Sequence, residues 1–247
     1  MNLHQANSNM STVGAVISDT LSFRIGGEVN LPRKNRVWYP GATYHVMSRG
    51  NRRTILFKDE DDYLTFVEEV QKAMIRFSFK IHSLCLMTNH FHMLLETSTT
   101  ELSKIMQRIL HTYAMIFNRK YHYTGHLFED RYNDVIVKDE RYFLEVSRYI
   151  HLNPVKAGMV REPLAYEYSS YRKFVTYQND GPPESSLRET KASNLINEIV
   201  ETDRVLGAFR HNKREQYRMF VESKVSHAEK EMLIQKDIKE DELWLPW

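Results

Sequence analysis

Two apolar runs separated by only two residues constrain this chain more than any other feature. Phe79 to Met87 is mostly apolar, Thr88-Asn89 has turn character, and His90 to Thr97 follows as a second run. Two residues are too few for the crossover that parallel strands need. The runs are therefore expected to pair antiparallel, as a hairpin.

The segments on either side extend the pattern. Tyr44 to Arg49 reads as a strand, broken by Gly50-Asn51. Asp59 opens a helix to about Phe77, with acids at all four positions from Asp59 to Asp62, where the helix dipole favours them. Thr100 to about Tyr121 carries Leu102, Ile105, Met106, Ile109, Tyr113 and Phe117 at helical spacing. Arg131 to Lys138 alternates and reads as a strand. Glu140 to about Asn153 reads as a helix, interrupted at Pro154 and stopped by Gly158. The order strand, helix, hairpin, helix, strand, helix predicts an α+β fold, with helices packed on an antiparallel or mixed sheet in the ferredoxin-like order. Residues 1–35 read as a poorly ordered leader and 178–193 as a linker. Residues 194–247 read as a small C-terminal helical extension, whose Trp-containing tail is expected to dock on the body.

Composition narrows the setting. Cys85 is the single cysteine among 247 residues, which excludes an intramolecular disulfide framework and a multi-cysteine zinc site. No apolar run approaches the ~20 residues that span a bilayer, so no membrane partner is expected. The stretch from Met1 to Phe23 holds no Lys or Arg, so the basic start of a secretory signal is missing. A reducing, cytoplasmic setting is expected. The net charge of +2 is uneven: −1 over residues 1–32, +6 over 33–178 and −3 over 179–247. The basic middle, which also holds eight of the eleven histidines, is compatible with a polyanionic partner.

Three groups of residues carry candidate chemistry. His90 and His92 stand two apart on a strand, so both imidazoles project from one face and form a natural metal half-site. A lone His-x-His is more often structural. Tyr149 and Asn153 stand four apart on a helix and share a face. Tyr149 offers a phenolic nucleophile and Asn153 a carbonyl oxygen that could be a third ligand. Read alone, Tyr149 is as well explained as a packing residue and Asn153 as helix-end chemistry. His151 falls off the Tyr149 face. The third group is basic: Arg49, Arg52 and Arg53 around the Gly50-Asn51 turn, Arg131 at the start of the last strand, and Arg148 and Lys156 beside Tyr149. Arginine forks suit phosphate, although each of these side chains also fits a solvated surface.

Four runs together resemble a known family. They are Tyr44-His-Val-Met-Ser-Arg-Gly-Asn51, Met87-Thr-Asn-His-Phe-His-Met-Leu94, Gly125-His-Leu-Phe-Glu-Asp-Arg-Tyr132 and Tyr149-Ile-His-Leu-Asn-Pro-Val-Lys-Ala-Gly158. In this order the chain resembles the single-tyrosine HUH (IS200-like) transposases, and among them the REP-associated tyrosine transposases, over about residues 36–175. Residues 205–221 also look like the helical extension of longer members.

The resemblance implies an HUH nuclease fold with His90, His92 and Asn153 as ligands of Mg2+ or Mn2+ and Tyr149 as the nucleophile. It implies a single-stranded DNA substrate beside REP-like hairpins, and cleavage and rejoining through a 5′-phosphotyrosine link. Arg49, Asn51, Arg52, Arg53, Arg131, Arg148 and Lys156 are the expected DNA contacts, and the working unit is a monomer or homodimer. Imidazole ligands do not select Mg2+ on chemical grounds, and Mn2+ matches them more comfortably. Three other readings remain: a DNA-hairpin-binding protein that needs no catalysis, a zinc protein built on His90 and His92, and an HUH replication or conjugation initiator.

Overall fold

In the computed structural model, residues 37–176 and 188–223 are described; the expected leader, most of the expected linker and the Trp-containing tail lie outside them. Strands β1 (Thr43–Arg49), β2 (Lys80–Met87), β3 (His90–Glu96) and β4 (Asn133–Val137) form one sheet in the order β2-β3-β1-β4. Every neighbouring pair is antiparallel, so the sheet is not mixed. The Thr88-Asn89 hairpin sets the β2–β3 register, which places Met87 opposite His90 and Cys85 opposite His92.

Helices cover both faces. Helices α1 (Glu60–Phe77) and α2 (Leu102–Tyr121) pack on one face, where Phe66 of α1 meets both Phe91 of β3 and Tyr113 of α2. Asp59 caps α1 by accepting a 3.0 Å hydrogen bond from the Asp62 backbone N–H, which explains an acidic residue immediately before the apolar stripe. The sequence spacing placed these two helices within two residues of their observed ends.

The opposite face carries α3 (Glu140–Lys156). Asp139 caps it through the Tyr142 N–H at 2.7 Å. The helix does not stop at Pro154, as the sequence suggested, but runs to Lys156 with the proline inside it. Its end explains the extra turn. Gly158 adopts φ +66°, its N–H reaches the Val155 carbonyl at 3.0 Å, and the Met159 N–H reaches the Pro154 carbonyl at 2.9 Å. This paired closure satisfies the Pro154 and Val155 carbonyls at the helix end.

The chain beyond α3 builds against α3 and the sheet. Helices α4 (Tyr171–Val175), α5 (Lys191–Ile199), α6 (Asp203–Gly207) and α7 (Lys213–Glu222) follow. Strand β2 lies at the sheet edge, and two later segments pair with it. Leu86 N–H bonds the Tyr168 carbonyl at 2.9 Å, and Glu201 N–H bonds the Ile81 carbonyl at 2.7 Å. Such cover removes an open edge that would otherwise template aggregation. No helix among the described residues is long and apolar enough to cross a membrane.

Gly50 closes β1 against its neighbours. Its N–H bonds the Asn89 carbonyl at 2.9 Å, and a Cβ there would overlap the Thr54 carbonyl oxygen. Gly50→Ala is therefore expected to destabilise the protein by about 2–3 kcal/mol through forced backbone displacement. Urea unfolding checks this, and an unchanged midpoint would show that the turn gives way freely.

Candidate active site

The site grows from the face of the sheet beneath α3. On β3, His90 and His92 share that face, and Phe91 and Met93 point to the α1–α2 side. Strand β1 brings a third imidazole. His45 lies opposite Leu94, so its diagonal neighbour on the same face is His92. His45 Nε2 and His92 Nδ1 are hydrogen-bonded at 3.1 Å. Their ring centroids are 5.3 Å apart with planes at 26°. With the nitrogens this close, the rings meet edge to edge rather than face to face.

Helix α3 lowers Tyr149 onto this floor. Its ring packs edgewise on His92, with centroids 5.4 Å apart, and on His45 at 5.7 Å. One turn later Asn153 donates from Nδ2 to the Tyr149 carbonyl at 2.9 Å. Lys156, a further turn along, holds its Nζ 4.4 Å from the Tyr149 ring centroid. Tyr149 thus contacts His92, His45 and Lys156, and Asn153 lies on its helix face, as the four-residue spacing predicted. Tyr149 is 4% exposed. Burial pushes its phenol pKa well above the usual value, while the hydrogen bond with the Asn153 side chain acts the other way.

The histidines are neutral. Burial pushes His90 down to about 4, helped by the Arg49 charge, and pushes His45 down to about 3. His92 falls well below the usual range, first through burial and then through its charged-form repulsion with His90, His45 and Lys156. Neutral imidazole is the form that can ligate a metal. His90 Nδ1 is hydrogen-bonded to Asn89 Oδ1 at 2.8 Å. On both His90 and His92 the other nitrogen, Nε2, is buried without a hydrogen-bond partner. Two buried ring nitrogens without partners, on adjacent histidines of one strand face, fit a cation. No group of three or more His, Cys, Asp or Glu among the described residues is placed to hold a metal ion.

The basic residues divide. Arg52 and Arg53 are exposed on a single 3₁₀ turn, where both adopt positive φ, 53° and 60°. That turn abuts the hairpin, since Asn89 Nδ2 reaches the Arg53 carbonyl at 3.4 Å. Asn51 N–H holds the Leu127 carbonyl at 2.7 Å and Gly50 bridges to Phe128, which brings the 125–132 run alongside. Arg131 is exposed there. Arg49 is paired with Glu129 at 2.6 Å. Segments 49–53, 89–92 and 127–131 therefore meet at the His90 end of the sheet.

Arg148 is elsewhere. It is 2% exposed, bonded to the Ser223 carbonyl and hydroxyl, and stacked 5.0 Å from the Phe220 ring centroid. It ties α3 to α7 rather than facing solvent, because α7 covers the side of α3 that a sequence pattern leaves open. His151 is also off the Tyr149 face, as expected. It joins Tyr217 OH at 2.7 Å and Ser170 Oγ at 2.8 Å. Ser147 Oγ meets the same Tyr217 hydroxyl at 2.7 Å. The sequence reading missed His45, Asn89 and this Tyr217 clasp. His45, Asn89 and Tyr217 each lie inside a stretch already singled out, but nothing within those stretches gives their partners.

Comparison with known proteins adds four findings. The family described as Transposase IS200 like matches residues 39–153. A solved REP-associated tyrosine transposase bound to a REP hairpin superposes with a TM-score of 0.53 at 16% identity, covering 65% of this chain and 99% of that one. A candidate transposase of Deinococcus radiodurans R1 covers 44% of this chain and 89% of its own at 14% identity, with a TM-score of 0.35. No curated protein matches the chain. The first superposition shows that the α+β fold is shared with that transposase.

Proposed function

From a chain whose residues 39–153 match the family described as Transposase IS200 like, we propose a metal-assisted DNA strand transferase that cuts and rejoins single-stranded DNA beside hairpins. One observation carries the reading. A buried tyrosine packs directly on one of two neutral histidines whose Nε2 atoms lack partners.

His90 and His92 would hold Mg2+ or Mn2+ through Nε2, with Asn153 adding its amide oxygen. The bound cation would supply Lewis-acid polarisation of a non-bridging phosphate oxygen. Tyr149 Oη attacks the backbone phosphorus and the bond to the 3′ oxygen breaks. The 5′ phosphate stays on Tyr149, and the 3′ oxygen leaves as a hydroxyl after taking up a proton. The count of phosphoester bonds is unchanged, so the step reverses onto another 3′ end without ATP. Burial opposes the phenolate, so the site must offset that cost. Donation from the Asn153 amide and the nearby Lys156 ammonium both favour negative charge on Tyr149.

Exposed Arg52, Arg53 and Arg131 line the entry at the His90 end and suit phosphate contacts. Arg49 joins them by exchanging Glu129 for a phosphate, and Asn51 holds the turn in place. Arg148 is left out of the DNA surface. The setting is the cytoplasm, on chromosomal hairpins.

The test is covalent capture. Labelled single-stranded hairpin oligonucleotides from around the protein's own gene are mixed with it and Mn2+ or Mg2+. DNA that stays attached through a denaturing gel, and is lost with a chelator, is the expected result. Hairpin binding without any attached DNA would leave a binding protein instead.

A further inference from the structure

We propose that His45 is a positioning residue for the cation site: it accepts a hydrogen bond from His92 Nδ1–H and so leaves the His92 Nε2 lone pair free for the ion. This rests on the metal-assisted reading above.

Proton counting makes the argument. A neutral imidazole carries one proton, so a ring that ligates through Nε2 must carry it on Nδ1. That Nδ1–H then needs an acceptor, and ligating histidines commonly have one. For His90 the acceptor is Asn89 Oδ1 at 2.8 Å, an oxygen that can only accept, with the amide nitrogen turned to the Arg53 carbonyl. For His92 it is His45 Nε2 at 3.1 Å.

The two supports differ in kind. An amide oxygen fixes the His90 proton outright. An imidazole can play either part, so His45 and His92 form a two-state relay. In one state His92 Nδ1–H donates to His45, whose own proton sits on Nδ1. In the other, His45 donates and His92 turns an Nε2–H into the site, where it would oppose a cation. Both end atoms, His45 Nδ1 and His92 Nε2, are buried without hydrogen-bond partners, so neither end outweighs the other in hydrogen bonds. A cation on His92 Nε2 selects the first state. Because Tyr149 packs edgewise on both rings, the same pair also supports the nucleophile.

The experiment uses the full chain without DNA. Mn2+ is titrated and the free ion followed by electron paramagnetic resonance, for the wild type, His45→Phe, His45→Gln and His92→Ala. His45→Phe keeps a ring but no acceptor, and should weaken Mn2+ binding roughly 10–100-fold. His45→Gln restores an acceptor oxygen and should recover most of that loss. His92→Ala should bind no better than His45→Phe. In wild-type protein loaded with Mg2+, nitrogen-15 spectra should show the His92 proton on Nδ1.

His45→Phe binding Mn2+ as the wild type does, or His92 carrying its proton on Nε2 with Mg2+ bound, overturns the proposal and leaves the metal reading intact. Wild-type protein that binds neither ion overturns both. Should His45→Phe fail to fold, as judged by circular dichroism, the glutamine variant and the wild-type tautomer decide.

Discussion

Tyr149→Phe is expected to abolish covalent DNA capture and to lower strand cleavage by at least about a thousandfold, on the order of 4 kcal/mol of barrier. The substitution removes one oxygen and keeps the ring. The packing on His45 and His92 depends on that ring, so the variant should fold and keep its hairpin affinity. Denaturing gels and a parallel binding titration separate the two effects. Cleavage that survives in the Phe variant would show that some other group attacks phosphorus. Loss of binding together with cleavage would point to a packing role for the hydroxyl.

Acid should unfold the metal-free protein at an unusually high pH. His45 and His151 are each pushed down to about 3 by burial, and His90 to about 4. In the unfolded chain such groups titrate near 6.5. Their folded values are lowered, so stability is intact above about 6.5 and falls as the unfolded chain takes up protons that the native one refuses. At pH 5 each group costs about 2 kcal/mol, and the three together about 6 kcal/mol. That is comparable to the whole stability of an ordinary domain, about 5–15 kcal/mol. Asp59, lowered although burial opposes it because Lys120 and neighbouring donors bind its carboxylate, acts in a separate and more acidic window. Urea titrations at half-unit steps from pH 7 to 4.5 measure the slope. A flat profile would mean that these rings find water or a proton partner in the native state.

The features set by local periodicity were legible in the sequence. Two residues between two apolar runs forced the hairpin, alternation put His90 and His92 on one face, and helical spacing stacked Tyr149 over Asn153. What escaped depends on register between distant strands or on a second layer. His45 meets His92 only because β1 pairs with β3 in one register. Arg148 looked like a surface cation because a helix with one apolar stripe normally leaves its other side wet. Here α7 covers that side, and nothing within α3 announces it. Pro154 suggested a helix end, and the closure around Gly158 carried the helix on by one turn.

The Tyr217 clasp makes the order of synthesis matter. Ser147 and His151 flank Tyr149 on the same helix, and both bond a hydroxyl that leaves the ribosome much later, on α7. Until Tyr217 emerges, two buried polar groups of α3 have no α7 partner, and Arg148 lacks Ser223. A nascent chain therefore carries Tyr149, His90, His92 and Asn153 before it carries the residue that clasps helix α3, Tyr217. Premature termination would yield a chain with all the motifs and a loosely held tyrosine.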